Sequence, residues 1–417
     1  MENVKQAEPI RNSLEQLGVG KTILLGLQHT FTMFGATVLV PVLTGMSVSV
    51  ALFMAGVCTL IGHFIMKNRV PVFLGSSFAY IAPTIAVVEL VKANGGTDGI
   101  AYATGGIVIA GLIYVVVAAL IYLFGVEKVI SFFPPVVCGP MIMVIGLNLA
   151  PTAIEMAAEN WPLAIVAFAV VVAVNIFGRG FIQIVPVIIG LIVGYIVALV
   201  TGHVDFTPVK QAAWVGLPDF TIAKFDLKYI MVIAPVAFAT IVEHIGDVIA
   251  IGATVEDDFT KDPGLHRTMI ADGLMTSLSA FVGGPANTTY SENTGVLALT
   301  RIWDPIVMKI AAVFAIILGG VPKIAAIINT IPGPIIGGIS IVLFGMIAAI
   351  GLRTVVENQV DFKSSRNLII AATILVLGIG GAVLPIKIGS FELTFQGMGL
   401  AAIVGIILNK VLPEPKN

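Results

Sequence analysis

Charge is scarce in this chain. Of its 417 residues only 11% are Asp, Glu, Lys or Arg, while 58% come from the hydrophobic set; a soluble domain carries roughly 25% charged residues. That shortage excludes an ordinary soluble globular protein. Cysteine is nearly absent as well. Cys58 and Cys138 both sit in apolar runs, too few and too isolated for a disulfide framework or a cysteine metal site, and they read as small buried hydrophobes. Neither sign of charge dominates. Twenty-two basic residues against twenty-four acidic ones give a formal net charge of −2, which leaves no basic face for nucleic acid and no strong hold on anionic lipid headgroups. The catalytic signatures are missing too: there is no Gly-x-x-x-x-Gly-Lys-Ser/Thr phosphate loop, no His-Glu-x-x-His and no Gly-x-Ser-x-Gly elbow. An enzyme is not expected, nor is ATP-driven pumping by this chain alone. The spans also lack an arginine-rich voltage-sensor pattern. A secondary transporter or a channel remains, with the lipid bilayer as the partner the composition announces.

What is present is apolar sequence in long runs. About 20 largely apolar residues cross the hydrocarbon core, and such runs fall near 22–43, 48–66, 71–91, 100–125, 129–150, 161–178, 181–201, 229–251, 269–284, 285–300, 305–321, 332–351, 367–385 and 395–413. The expected fold is an all-α polytopic membrane protein of fourteen transmembrane segments. Between 269 and 300 the boundaries are weakest, because Gly283, Gly284, Pro285, Asn287, Thr288 and Thr289 interrupt the run. Residues 1–21 are polar, include Lys5, Arg11 and Lys21, and read as a cytoplasmic N-terminal segment rather than a signal peptide. Threading alternately from there places sixteen of the twenty-two basic residues inside. Only Lys92, Lys210, Lys224, Lys228, Lys323 and Lys387 fall outside, an asymmetry that favours cytoplasmic termini at both ends and an even number of spans. Residues 202–228 form the long outer loop and 252–268 the long inner one.

Pro135-Val-Val-Cys-Gly-Pro140 echoes Pro334-Ile-Ile-Gly-Gly-Ile339, seven segments later. An odd repeat enters the membrane upside down, so the echo implies two inverted repeats of seven, a common construction in secondary transporters. The interrupted segments Pro71-Val-Phe-Leu-Gly-Ser-Ser-Phe78 and Gly284-Pro-Ala-Asn-Thr-Thr-Tyr290 occupy matching places, the third and the tenth. Unwound backbone at membrane depth is tolerated only inside protein or along a cavity. Two such segments facing each other would offer free N–H groups to a small polar solute. Acidic groups inside spans are costly and default to functional hypotheses. Glu243, His244, Asp247 and Glu292 are the sharpest, since Glu243 and Asp247 share a helical face and Glu292 follows the interrupted tenth segment. For Asp247 and Asp272 a structural reading stands equally open. Gln28 and His29 in the first segment are placed to orient the broken elements through side-chain hydrogen bonds, whereas His63 and His266 lie near segment ends and read as incidental.

These residues also carry a resemblance. Glu292-Asn-Thr-Gly-Val-Leu-Ala-Leu-Thr-Arg301 is similar to the signature of the nucleobase-ascorbate transporters, joined by Gln28-His29, Phe34-Gly-Ala-Thr-Val-Leu-Val-Pro41, Leu74-Gly-Ser-Ser-Phe78, Glu243-His-Ile-Gly and Asp262-Pro-Gly-Leu-His-Arg267. Glu at the first signature position resembles the uracil permease branch. The resemblance implies short strands in segments 3 and 10 and a division into core and gate domains. The core would comprise 22–125 (segments 1–4) and 229–321 (segments 8–11); the gate would comprise 126–201 (segments 5–7) and 322–413 (segments 12–14), with 414–417 as a cytoplasmic tail. It further implies that Glu243 and Glu292 bind uracil through their side chains, that Phe78, Tyr290 and Ser291 offer backbone amides, and that Asn293 supports them. In that branch the residue four after the first glutamate can be His; here it is Asp247. The function so implied is proton-coupled uracil import across a bacterial inner (plasma) membrane, by relative movement of core and gate in a homodimer joined through the gates. Glu243, His244, Asp247 and Glu292 would carry the proton, which is the coupling ion; no cofactor and no metal are expected. The rival readings are a symporter of xanthine or another nucleobase and a passive nucleobase channel.

Overall fold

The computed structural model describes residues 9–388 and 391–413. Lys5, Lys416 and the expected 414–417 tail lie outside the described residues. A short helix, α1 (Ser13–Leu17), leads into α2 (Val19–Thr44) and α3 (Val48–Ile65). The third run opens as a strand, β1 (Leu74–Ser76), passes one 3-10 turn at Phe78–Tyr80 and continues as α4 (Ile81–Ala93). Then come α5 (Gly99–Phe124), α6 (Val126–Ile130), α7 (Pro135–Asn148), α8 (Ala150–Ala158), α9 (Trp161–Phe177) and α10 (Pro186–Val200). After the outer loop with its single turn α11 (Thr207–Gln211), the chain forms α12 (Leu227–Ile233), α13 (Ala237–Val255) and α14 (Leu265–Phe281). The tenth run repeats the pattern of the third, with β2 (Asn287–Thr289) followed by α15 (Ser291–Thr300). The remainder is α16 (Pro305–Gly319), α17 (Pro322–Asn329), α18 (Gly333–Glu357), α19 (Ser365–Ile379), a hairpin of β3 (Val383–Ile388) with β4 (Phe391–Gln396), and α20 (Gly397–Val411).

Six of these spans are long and apolar enough to cross a membrane, or seven if the pair α16 and α17, bent by 79°, is one span. The protein is therefore a multi-pass membrane protein. Several boundaries differ from the sequence reading. The run expected at 129–150 starts its helix only at Pro135 and continues through α8 to Ala158. Pro134 and Pro135 explain the late start: a proline disfavours helix in the residue before it and suits the first helical turn. For the same reason the run from 181 is a 3-10 turn up to Ile184 and an α-helix only from Pro186. The hairpin is a larger difference. Residues assigned to the ends of segments 13 and 14 pair as antiparallel strands, Val383 opposite Gln396 and Ile388 opposite Phe391, because Gly380 and Gly381 end α19 before the β-branched stretch begins.

The helices pack in two groups. In one, α5 lies against α14, and α16 against α2 and α3; in the other, α18 lies against α7, α8 and α9, and α19 against α7 and α20. The contacts are built on small residues, as expected where lipid supplies no hydrophobic drive between helices. A Cβ at Gly111 of α5 would lie 2.4 Å from the Gly273 carbonyl of α14, so neither helix tolerates bulk there. In α7 and α18, Gly139 meets Gly351 and Gly146 meets Phe344. Rising numbers on one helix match falling numbers on the other, so this pair is antiparallel. By the numbering of the apolar runs, α7 and α18 are the fifth and twelfth segments, seven apart, and the pair α5–α14 (fourth with ninth) is repeated seven segments on as α16–α3 (eleventh with second), which is the arrangement two inverted repeats produce.

Candidate functional site

At the centre, β1 and β2 pair antiparallel, with Leu74 opposite Thr289, Gly75 opposite Thr288 and Ser76 opposite Asn287. Two more bonds extend the ladder: Ser77 N–H donates to the Ala286 carbonyl at 2.9 Å and Tyr290 N–H to the Phe73 carbonyl at 3.0 Å. Three-residue strands are marginal alone; here they survive because all six residues are buried. Close packing fixes the register. The Tyr290 ring lies over Gly75, where an added Cβ would meet the Tyr290 Cζ at 2.4 Å. Its hydroxyl donates to the Ser76 carbonyl at 3.1 Å and accepts from Thr37 Oγ1 at 3.2 Å.

Each strand then hands over to a helical turn. Phe78 and Ser291 are the first residues of theirs, so their N–H groups have no partner within the helix. Both amides remain candidates for a ligand, in the fractional positive charge of a helix start. Tyr290 differs from its expected role: its amide is committed to Phe73, so it contributes a ring and a hydroxyl instead.

The carboxyl groups gather at one edge of this crossing. Glu243 on α13 is half-buried, and its Oε2 has no hydrogen-bond partner among the described residues. Asp247, one turn on, accepts from Ser291 Oγ at 3.0 Å and so ties α13 to the start of α15. Ser291, Glu292, Gly295 and Leu299 are exposed along one face of α15, and on α13 Gly246 and Ala250 are exposed beside half-buried Glu243 and Asp247.

His244 takes a different direction. Successive helical residues point about 100° apart, and His244 is buried against α14 and β2: Nε2 lies 3.1 Å from Thr268 Oγ1, while Nδ1 lies 3.4 Å from Thr289 Oγ1 and 3.4 Å from Asp272 Oδ2. The structure thus brings Glu243, Asp247, Ser291 and Glu292 together and sets His244 with Asp272 behind them. The supporting pair is also assembled. Asn293 Nδ2 donates to the His29 carbonyl at 3.2 Å and lies 3.0 Å from His29 Nδ1, both residues buried, which locks α15 to α2. Gln28 is half-buried one residue earlier. His63, expected to be incidental, is fully buried with Nε2 2.8 Å from the Val72 carbonyl and so anchors the approach to β1. His266 stays at a segment end, its ring 5.4 Å from Tyr122.

Sequence reasoning missed the far wall. Phe344 of α18 meets Phe78 edge-on at 6.3 Å and joins Val40, Ile81, Leu149 and Ala153 in an apolar cluster between the two helix groups. Beside it lies a cavity of about 300 Å³, lined by Phe78, Pro83, Asn148, Val236 and Met398 among others. None of the carboxyl groups lines it; Phe78 is the residue it shares with the crossing. No spacing in the sequence announces a contact between α4 and α18.

Comparison with known proteins agrees with this architecture. The model of the Permease family matches residues 20–387. The uracil permease of Bacillus caldolyticus is 46% identical, the alignment covering 97% of this chain and 95% of that protein. That of Bacillus subtilis is 44% identical, covering 94% of this chain and 93% of its own. Among solved structures, the transmembrane domain of the cyanobacterial bicarbonate transporter BicA superposes with a TM-score of 0.65 at 15% identity, covering 96% of this chain and 99% of that one. That last likeness is one of fold alone.

Proposed function

The chain belongs to the permease family of nucleobase-ascorbate transporters, and from that premise we propose that it imports uracil across a bacterial inner membrane together with a proton. The relatives at 46% and 44% identity carry the name uracil permease. The observation that carries the reading is the unpartnered carboxylate oxygen of Glu243 beside Glu292, at the crossing where Phe78 and Ser291 begin their helical turns. Uracil presents alternating N–H donors and carbonyl acceptors. Two carboxyl groups accept from the ring N–H groups, and the Phe78 and Ser291 amides donate to the carbonyls. Hydrogen bonds to charged groups contribute about 1.5–3 kcal/mol each, enough together for micromolar binding after association costs. Thymine's methyl is opposed only by pocket shape, worth about 1–3 kcal/mol.

Fourteen segments, with core 22–125 and 229–321 and gate 126–201 and 322–413, are the frame for this reading. Alternating access moves the core past the gate, two gates join in a homodimer, and both termini face the cytoplasm. Glu243 or Glu292 takes the proton outside and yields it inside, with Asp247 assisting; His244, turned toward Asp272, acts at one remove. A neutral base with one proton carries positive charge inward, and the membrane potential then supplies about 2.3 kcal/mol per charge per 100 mV.

The test is uptake of labelled uracil by the purified protein in liposomes, with and without an inward proton gradient. Accumulation that needs the gradient and falls at least about tenfold in Glu243→Gln and in Glu292→Gln is expected, one charged hydrogen bond worth about 1.5–3 kcal/mol being lost in each. Uptake that only equilibrates would point to a passive channel. Competition by xanthine but not by uracil would reassign the substrate.

A further inference from the structure

Short half-helices carry the proposed ligand groups, and short helices owe their position to tertiary contacts rather than to intrinsic stability. The ten-residue α15 and the end of α13 are both gripped by the segment before α1. Ile10 forms a parallel bridge with Ile302: its N–H donates to the Arg301 carbonyl at 2.9 Å, and its carbonyl accepts from Trp303 N–H at 2.8 Å. Arg11 reaches the other helix, donating from Nη2 to the Val255 carbonyl at 2.9 Å while its guanidinium lies 5.2 Å from the centre of the Trp303 ring. Ser13 closes the grip. Its N–H and its hydroxyl both donate to Asp304 Oδ2, at 2.7 and 2.8 Å, in a fully buried position, while Asp304 Oδ1 caps α16 by accepting from Ile306 N–H at 3.0 Å. Beside the strap, Glu256 and Arg301 pair at 3.8 Å across the same two helix ends.

We propose that residues 10–13 are a strap that sets the spacing of α13 and α15, so that Arg11 and Ser13 are positioning residues for the carboxyl groups at the other ends of these helices. The proposal rests on the reading of Glu243 and Glu292 as the binding pair. Within the site, among the described residues, the Ser291 to Asp247 hydrogen bond ties the two helices together. One bond is a pivot, and a pivot needs a second fixed point. Arg11 supplies it together with the Glu256–Arg301 pair, because it bonds to a backbone carbonyl of α13 while stacking on the residue that follows α15 by three.

The test uses the full chain with Arg11→Ala and Ser13→Ala combined. Hydrogen exchange in the substrate-free protein is expected to speed up at 250–255 and 296–303, the distal turns of both helices, with α5 and α18 unchanged. Uracil binding is expected to weaken about tenfold, near the lower range for one charge-assisted bond, with a raised KM and a maximal rate within about threefold of the parent. A disulfide between Ile10→Cys and Ile302→Cys, positions paired across the parallel bridge, then restores affinity when oxidised and loses it when reduced. Unchanged exchange in both distal turns overturns the proposal whatever the substrate is. So does uracil affinity within twofold of the parent while exchange reports residues 10–13 released. If the double variant fails to fold, Arg11→Lys, which keeps the charge and loses the planar stack, is scored by the same two readouts. A parent protein that binds no uracil defeats the functional reading instead, and exchange alone then decides the strap.

Discussion

Asp247 and Glu243 share a face of α13, yet their surroundings divide their work. Glu243 Oε2 has no hydrogen-bond partner among the described residues, while an oxygen of Asp247 accepts from Ser291. A group that both holds the start of α15 and stands beside the proposed binding carboxyl can pass conformational or protonic change between them. Asp247→Asn keeps an acceptor for Ser291 and removes the titratable charge. Uracil binding within about threefold of the parent, with the pH dependence of uptake flattened, is therefore expected; the arithmetic is less than one neutral hydrogen bond. Uptake that keeps the parent's pH profile in both Asp247→Asn and Asp247→His would take the residue out of the proton path. At this scale the sequence was readable where chemistry is expensive. Acidic groups inside apolar runs stand out, which is why Glu243, Asp247 and Glu292 were singled out, and the structure ties Asp247 to Ser291 beside Glu292. His63 and the pairing of His244 with Asp272 were less legible, since each depends on a partner distant in space that no local spacing encodes.

Interruptions in apolar runs were equally legible for elements: the Gly and Pro clusters in the third and tenth runs do mark strands that pair with each other. The hairpin β3–β4 was not, because a short β-branched stretch next to a helix cannot be separated from that helix by hydropathy. Segment ends set by prolines were shifted for a related reason, since periodicity finds faces and not boundaries. The strand crossing also has the narrowest steric tolerance. Gly75→Ala would drive a methyl into the Tyr290 ring, 2.4 Å from Cζ. Overpacking of this kind costs about 1–3 kcal/mol, and here the ring cannot retreat without giving up Ser76 and Thr37. A lower thermal midpoint together with lost uracil binding is expected. Tyr290→Leu in the same chain should recover part of the midpoint and little of the binding, because it makes room without restoring the hydroxyl. Full thermal stability in Gly75→Ala alone would mean that the ring is not held where it stands.

Two groups of helices meeting at an apolar seam make a machine only if the seam slides. Phe78 belongs to the group that carries the proposed ligand residues, Phe344 to the other, and their edge-on contact at 6.3 Å lies within the cluster that joins them. An apolar seam of this kind, with no hydrogen bond across it among the described residues, has no fixed register, whereas the β1–β2 ladder and the Asn293 to His29 contact hold the helix group of the crossing together as one body. Movement of one body past the other would carry Phe78 along α18. Linking the two sides should therefore stop transport without abolishing binding. Phe78→Cys with Phe344→Cys, in a background where Cys58 and Cys138 are replaced by alanine, provides the handle, since Phe78 is proposed to contact uracil through its amide and not its ring. Joined by a short dithiol-reactive linker, the protein should lose at least about 90% of its uptake, keep uracil affinity within about tenfold, and regain uptake when a cleavable linker is cut. Those expectations follow because a covalent bridge removes the states between which a ligand must be exchanged, while leaving one binding state intact. Undiminished uptake with the bridge fully formed would mean that the bodies do not move at this seam.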